Sequence, residues 1–396
     1  MLNRRSFLQG LGTIALAGGL SGCASGSGEP SIFLLSGSIP PRLLTDFRKT
    51  IAGKKVNFQS ERQLKELLKL LEKWLKNQGQ PASQFSISIP FREQNPAMGN
   101  LVTLGDAWLG KAITNGLIQP LDTSQLSNWS KLPPRWQENM TRNAQGQPQT
   151  EGKVWGAPYR WGMTVIAYNE EKFAQFDWRP QDWSDLWRPE LTGKIALIDN
   201  RREVIGLTLK KMGYSYNSSD LKQVMGLKDQ LFALQKQVKF YSSQHYLQPL
   251  ILGDVWLSVG WSNDILPVSD RYNKIKVVVP KSGTSLWSDV WVKPVLTTPN
   301  SLVEQWIDFC WQPESATKIS LFTSGLSPLI LTQNPDQISP DIRNNPLLVN
   351  PEAIKKSDFL NPLSPATEQE YEQLWQAMRQ LVKSGDTRQN SARILR

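Results

Sequence analysis

Short β-like runs alternate with helical segments along most of this chain, and that alternation predicts an α/β fold. Residues 61–77 carry leucines and a tryptophan at helical spacing, so one face of that helix must be buried. A chain of 396 residues exceeds what one hydrophobic core comfortably supports, so we expect two lobes with a cleft between them. Further predicted strands are 31–35, 85–89, 101–104, 164–168, 194–198, 238–241, 255–260 and 275–279, and further predicted helices are 41–49, 107–115, 202–212, 221–236, 300–311 and 367–383.

The first residues are typical of an export signal. Arg4 and Arg5 precede Phe7, and the apolar run over residues 11–20 is too short to span a membrane. Small residues then precede Cys23, as at the sites where a lipoprotein signal peptidase cuts and the cysteine is acylated. The pattern predicts a twin-arginine-like lipoprotein signal peptide over residues 1–22, a lipid anchor on Cys23 and a flexible tether over residues 23–30. An ordinary secretion signal with an incidental cysteine is the alternative.

Composition argues against several classes of function. Cys310 is the only other cysteine and His245 the only histidine, so the sequence offers no histidine and cysteine set with metal-ligand spacing. We therefore expect no metal and no cofactor, and we expect Cys310 to be a core residue. The formal net charge is +10, but lysines and arginines alternate with acids along the predicted helices. This pattern favours a solvated surface over a nucleic-acid interface.

A series of motifs lies between residues 155 and 289. They are GAPYRWG (156–162), IAYN (166–169), WSDLW (183–187), GKIALID (193–199), REVIG (202–206), GDVW (253–256), VGWSND (259–264) and PKSGTSLWSD (280–289). In order and spacing they resemble the periplasmic substrate-binding proteins of ABC importers for spermidine and putrescine. Weaker matches at 101–108 and 116–122 extend the resemblance over nearly all of residues 31–327.

The resemblance implies a two-lobed periplasmic binding protein fold of type II, an α/β architecture that closes over its ligand. It implies two crossings between the lobes, near residues 159–165 and 287–290. Lobe 1 would comprise 31–160 plus 290–328, and lobe 2 would comprise 161–289 plus 329–396. The implied function is that of a monomeric, periplasmic binding protein and not of an enzyme, which delivers a polyamine to a membrane permease.

The same motifs imply a ligand site. A polyamine needs aromatic walls for its methylene stem and carboxylates for its ammonium groups. By the family's pattern Trp261 and Trp287 would be the walls, and Asp289 and Glu203 would each bind an ammonium group. The pattern adds four further candidates, Asn200, Asp264, Asp106 and Trp161. Asp264 and Asp106 could equally cap the helices that begin beside them.

Three departures from the family's pattern concern the ligand. Leu35 and Ser38 stand where polyamine binders carry aromatic residues, and Asn200 stands where the family often has a second aspartate. Arg160 and Arg201 lie in or beside ligand-facing motifs, where a guanidinium would favour a ligand with a carboxylate.

Other functions remain as alternatives. A receptor for an amino acid or another zwitterion is the first, because of the two arginines. A ferric-iron binder would present adjacent tyrosines, which this sequence lacks, and an exported hydrolase would need a nucleophile with a base, for which no Gly-x-Ser-x-Gly elbow exists. A structural lipoprotein without a ligand would be compatible with Leu35 and Ser38.

Overall fold

A computed structural model of the protein describes residues 29–77 and 98–394, with side chains described up to residue 380. The predicted leader, Cys23 and the strand predicted at 85–89 lie outside the described residues. The strands are β1 (Ser31–Leu35), β2 (Asn57–Glu61), β3 (Leu101–Gly105), β4 (Ile118–Gln119), β5 (Thr141–Arg142), β6 (Lys153–Val154), β7 (Ala157–Asn169), β8 (Ile195–Leu197), β9 (Val238–Tyr241), β10 (Leu257–Trp261), β11 (Ile275–Val278), β12 (Ser285–Pro294) and β13 (Asp358–Phe359).

The helices alternate with these strands, as the sequence predicts for an α/β chain. They are α1 (Pro41–Thr50), α2 (Leu64–Lys76), α3 (Leu109–Thr114), α4 (Pro134–Met140), α5 (Glu170–Phe173), α6 (Arg201–Lys211), α7 (Leu227–Gln237), α8 (Leu247–Leu252), α9 (Ser262–Arg271), α10 (Ser301–Cys310), α11 (Pro313–Phe322), α12 (Pro340–Arg343), α13 (Pro351–Lys356) and α14 (Pro365–Ile394). Within the described residues no helix, α14 included, combines the length and the apolar character that crossing a membrane requires.

Eleven of the strands form one mixed sheet. Its main path runs β2-β1-β3-β12-β7-β10-β8-β9, with β11 on β7 and with β4 and β13 on β12. The strands β1, β2 and β3 are parallel to one another, and so are β8, β9 and β10. The two parallel groups are joined through β7 and β12, which are antiparallel to each other and to the groups that they touch.

The strand β7 runs through the middle of this sheet without a break. Its first half pairs with β12, and its second half pairs with β10 on one side and β11 on the other. The two parallel groups of strands therefore come together at β7, where β12 pairs with its first half and β10 with its second half. The register between β7 and β12 shifts by one residue beyond Asp289, which leaves Tyr159 without a partner on β12.

Separate apolar clusters lie at the two ends of the sheet. At the β1 end, Phe47 of α1 packs against Trp306 of α10, with ring centroids 5.0 Å apart, and Cys310 is buried beside them as expected. At the β8 end, Trp183 and Tyr216 are fully buried among leucines of α6 and α7. This arrangement is the two-lobed α/β fold that the sequence implies, while the residue boundaries of the lobes stay a prediction.

The C-terminal segment, residues 351–394, contacts two helices that lie far apart in sequence, α4 and α6. Arg135 of α4 donates a hydrogen bond of 2.8 Å to the carbonyl of Ile354. A few residues later Asp358, in β13, forms an ion pair of 2.8 Å with Lys210 of α6. The segment then continues into α14, which lies against α6 and α7.

Candidate ligand-binding site

Aromatic and charged side chains share one face of the sheet where β7, β10 and β12 meet. Asp289 lies directly opposite Arg160, and Trp287 lies directly opposite Gly162. Trp261 ends β10 and pairs with β7 two residues beyond Gly162. Because side chains alternate along a strand and directly paired residues project on the same side, these residues lie on a single face.

Gly162 provides the space in which the indole of Trp287 lies on the sheet. A Cβ atom at this position would come within 2.3 Å of Cζ2 of Trp287 and 2.4 Å of the hydroxyl of Ser262. That hydroxyl accepts a hydrogen bond of 3.1 Å from the backbone N–H of Met163. The glycine therefore permits a close approach of β7, Trp287 and the start of α9.

Asp289 forms a buried ion pair with the chain's own Arg160. The Nη2 atom of Arg160 lies 2.6 Å from Oδ2 of Asp289, and its Nε atom donates to the same oxygen at 2.8 Å. The guanidinium carbon lies 5.6 Å from the ring centroid of Trp287. Burial raises the pKa of Asp289 above its ordinary value, and the neighbouring Arg160 opposes that rise.

Glu203 reaches the same face from the first turn of α6. The hydroxyl of Ser285 lies 2.7 and 2.9 Å from its two carboxylate oxygens, and Ser285 shares its face of β12 with Trp287 and Asp289. Burial raises the pKa of Glu203, and Ser285, Thr164 and the nearby charge of Arg202 oppose that rise. Among the ion pairs of the described residues, none involves Glu203. We call Glu203, Ser285, Trp287 and Asp289 together the β12 row.

Two polar candidates at the start of α6 have structural partners. The side-chain oxygen of Asn200 caps the helix by accepting from the backbone N–H groups of Arg202 at 2.9 Å and Glu203 at 3.4 Å. Arg201 forms ion pairs of 2.5 and 3.2 Å with Glu368 and Glu372 of α14. Asn200 thus positions Glu203, and acids of the same chain offset the charge of Arg201.

Asp264 lies in the first turn of α9 and does not cap it. The helix begins at Ser262, and its capping residue is Trp261. The carboxylate of Asp264 accepts hydrogen bonds of 2.8 Å from the Tyr246 hydroxyl and of 2.8 Å from the Asn263 amide. Burial raises its pKa, whereas Tyr246 and, more weakly, Arg160 lower it. Asp264 therefore faces the same guanidinium as Asp289 does.

Asp106 opens the helical turn Asp106–Trp108 and links it to β12. Its carboxylate accepts from the backbone N–H of Ser288 at 2.9 Å and from the amide of Asn139 at 3.0 Å. Burial raises the pKa of Asp106 to about 6, although these hydrogen bonds and nearby Arg142 oppose the rise. The carboxylate of Asp106 thus joins this turn to β12 through the backbone of Ser288, and it does not cap α3.

The raised pKa of Asp106 gives a pH-dependent stability. The folded protein holds this proton more tightly than the unfolded chain, so the contribution is complete below pH 4 and is lost as pH rises to about 6. A rise of the pKa from 3.8 to about 6 corresponds to about 3 kcal/mol. In urea unfolding at pH 4 and pH 7, we expect Asp106→Asn to lose about 2 kcal/mol less stability than the wild type, because the carboxyl of the unfolded chain is partly ionised already at pH 4. Parallel pH profiles for the two proteins would contradict the assignment.

Trp161 lies on the opposite face of β7. It is fully buried, and its ring packs edge-on against Trp136 of α4 with centroids 5.2 Å apart. Ser38 is also occupied, because its hydroxyl donates to the carbonyl of Leu35 at 2.7 Å and accepts from the Tyr159 hydroxyl at 2.8 Å. We therefore leave Trp161 and Ser38 out of the proposed site.

A cavity of about 500 Å³ opens at the start of α6, and none of the four residues of the β12 row lines it. Its lining includes Trp108 from the turn before α3, Asn200 and Arg202 from the start of α6, and Asn361 from the C-terminal segment. Space for a small molecule is therefore present beside the residues that precede and flank Glu203.

The structure adds Ser285 and Ser262 to the residues expected at this face, and it pairs Arg160, which the sequence places in a ligand-facing motif, with Asp289. The alternation along β12 could have identified Ser285, since it is two residues before Trp287. The pairing of Arg160 with Asp289 depends on the register between strands distant in sequence, which no local pattern reveals.

Comparisons with known proteins agree with this fold. Residues 99–356 match the model of the bacterial extracellular solute-binding protein family. The chain is 27% identical over 281 residues to the spermidine/putrescine-binding periplasmic protein of Escherichia coli, covering 71% of this chain and 77% of that protein. It is 26% identical to the putrescine-binding periplasmic protein PotF of Escherichia coli, covering 66% and 72%.

Among solved structures, a spermidine/putrescine ABC transporter substrate-binding protein, PotD from Streptococcus pneumoniae, superposes with a TM-score of 0.73 at 22% identity. The match covers 89% of this chain and 98% of that one, so the whole fold is shared. A family model that spans most of the described chain and this likeness in fold lead to one conclusion: the chain belongs to the bacterial extracellular solute-binding protein family.

Proposed function

We propose that this protein is the substrate-binding component of an ABC importer, which captures a small cationic solute of the polyamine class and delivers it to a membrane permease. The family is one of solute-binding proteins and not of enzymes. The relatives named above bind spermidine and putrescine by their descriptions. For this chain, the observation that carries the proposal is the β12 row, in which an indole lies between two buried carboxylates.

The row has the chemistry that an amine with a methylene stem requires. A carboxylate binds an ammonium group through a charge-assisted hydrogen bond, and an indole face attracts a cation while covering methylene groups. Ser285 and Asp289 are four residues apart in an extended strand, which places the ends of the row about 13 Å apart. Glu203 forms no ion pair within the described residues and Arg202 acts on it only through its nearby charge, so a ligand ammonium group would further offset the buried charge of Glu203.

The alternative of a zwitterionic ligand loses its main support. It depends on guanidinium groups that are free to bind a carboxylate. Arg160 instead pairs with Asp289, and Arg201 pairs with Glu368 and Glu372. We therefore propose a cationic ligand without a carboxylate.

We further propose that the protein is periplasmic and exported, is held at a membrane by lipid on Cys23, and acts as a monomer. The family relatives are described as periplasmic. The anchor stays a prediction from the sequence, because Cys23 lies outside the described residues.

Thermal unfolding with a ligand panel tests the proposed function. A ligand that binds only the folded protein stabilises it by about 2.7 kcal/mol at one hundred times its dissociation constant. We expect a shift with at least one amine of the polyamine class and none with neutral amino acids, sugars or ferric citrate. In Glu203→Gln, binding of that amine should weaken by about 10-fold to 100-fold, because the amide cannot form a charge-assisted bond.

The matched control is Glu151→Gln, which makes the same change at an exposed position outside the row. It should bind as the wild type does. Each variant is compared with its own ligand-free unfolding temperature, since removal of a buried charge also changes stability. A shift with amino acids alone, or undiminished amine binding by Glu203→Gln, would overturn the proposal.

A further inference from the structure

Arg160 makes the contacts that an ammonium group of a ligand would make at the Asp289 end of the row. Two of its nitrogen atoms lie 2.6 and 2.8 Å from Oδ2 of Asp289, and its guanidinium carbon lies 5.6 Å from the centroid of the Trp287 ring. A carboxylate together with an aromatic ring is the environment that proteins provide for a cation. A residue of the chain itself therefore occupies this position.

The chain is built to hold Arg160 there. A third nitrogen, Nη1, donates to the carbonyl of Thr323 at 2.9 Å, and the residue is only 4% exposed. Gly325 lies so close to the stem that a Cβ atom at 325 would come within 2.7 Å of Cγ of Arg160. Arg160 also lies directly opposite Asp289 on paired strands. Three hydrogen bonds and the close approach of Gly325 thus hold the guanidinium in position. It stays beside Asp289 whether or not a ligand is bound.

The two ends of the row consequently differ in charge. At one end the guanidinium offsets Asp289 and faces Asp264, whose carboxylate also accepts from Tyr246 at 2.8 Å. At the other end the hydroxyl of Ser285 donates to Glu203, Thr164 and Arg202 also lower the pKa of Glu203, and the carboxylate forms no ion pair within the described residues. An ammonium group brought to the Asp289 carboxylate would meet the guanidinium that is already bound there, whereas one brought to Glu203 would meet an acid that forms no ion pair within the described residues.

On the basis of the proposed function, we infer that Arg160 replaces one ammonium group of the ligand, so that the ligand is a short amine with a single ammonium group bound at Glu203. Its uncharged tail lies over Trp287 toward Arg160. The site then discriminates against a second ammonium group, because the position for it is filled by a cation that cannot leave. A diamine blocked at one end has this chemistry, and a free diamine or triamine does not.

Calorimetric titration of the purified protein with N-acetylputrescine, putrescine and spermidine tests the inference without any variant. The three probes share a methylene stem and carry one, two and three ammonium groups. We expect N-acetylputrescine to bind at least about tenfold more tightly than spermidine. The additional ammonium groups of spermidine would lie near the guanidinium of Arg160 without an acid to bind them, which disfavours binding. Tighter binding of putrescine or spermidine than of N-acetylputrescine would overturn the inference and leave the proposed function intact.

Arg160→Leu is the complementary variant. Removal of the guanidinium frees Asp289, so the affinity for putrescine should rise at least about tenfold relative to the wild type. Arg160→Lys is the matched control, since it retains a cation beside Asp289 and should give no such gain. A gain in Arg160→Lys equal to that in Arg160→Leu, or none in Arg160→Leu, would contradict the inference. If no amine binds to the wild type or to Arg160→Leu, the proposed function itself fails.

Discussion

Replacement of Asp289 by alanine is expected to lower the free energy of unfolding by about 3 to 5 kcal/mol. The variant leaves the guanidinium of Arg160, which is 4% exposed, with a hydrogen bond to the Thr323 carbonyl and with Asp264 facing it, but without an ion pair among the described residues. Desolvation of an unpaired charge is among the largest costs that one substitution can impose. Urea unfolding at pH 7 measures the loss directly.

Two further variants separate this effect from a general loss of packing. Addition of Arg160→Leu to the Asp289→Ala variant removes the unpaired charge, so the double variant should be more stable than Asp289→Ala alone. Glu66→Ala removes the acid of an exposed pair, in which Lys69 and Glu66 lie 3.0 Å apart, and should cost less than about 1 kcal/mol. A loss below about 1 kcal/mol for Asp289→Ala would show that the pair is not buried in solution.

Gly206→Ala is expected to destabilise the protein by about 3 kcal/mol, although alanine is the better helix former. Gly206 lies in the middle of α6, where an exposed site would gain about 1 kcal/mol from this change. A Cβ atom there would come within 1.9 Å of Cδ1 in the fully buried ring of Tyr216. Because the ring is fully buried, either the ring or the helix must shift, and a shift of the helix would move Glu203 in its first turn.

A double-mutant cycle with Tyr216→Leu identifies the cause. In the Tyr216→Leu background the ring is gone, and Gly206→Ala should then be neutral or raise stability by up to about 1 kcal/mol. Unfolding in urea gives all four free energies. Stabilisation by Gly206→Ala in the wild-type background would contradict the contact with Tyr216.

Much of the fold follows from local patterns. The strands Ser31–Leu35 and Val238–Tyr241 have the bounds that the sequence predicts, because each is a short β-like run between turn residues. The strand Asn57–Glu61 is not predicted, since its residues are mostly polar and its place at the sheet edge is set by pairing with β1. Only the second half of β7 is predicted, because Pro158, Arg160 and Gly162 interrupt the β-like sequence pattern of the first half.

The helix predictions show the same limit. The helix expected over residues 61–77 begins at Leu64, because the residues before it continue β2. The helix expected over residues 221–236 is divided, with a helical turn at Leu221–Gln223 and α7 beginning only after Gly226 adopts a left-handed conformation.

The candidate site depends on both local and distant information. The shared face of Trp287 and Asp289 follows from the alternation of an extended segment, and β12 is such a segment. The contact between Glu203 and Ser285 joins residues 82 positions apart and could not be read from either neighbourhood. Arg160 was identified as a charge that favours a ligand carboxylate, and the register of β7 against β12 makes Asp289 of the same chain that carboxylate.

The unbroken course of β7 beside β12 also limits how the molecule can move. Antiparallel strands twist about their long axis, whereas sliding one strand along the other would break the hydrogen bonds that join β7 and β12. The unpaired Tyr159 marks a place of extra twist in this strand pair, next to Arg160. A solute would then reach the site when β7 and β12 twist further about their long axis. The ion pair between Arg160 and Asp289, which joins the two strands, would turn with them.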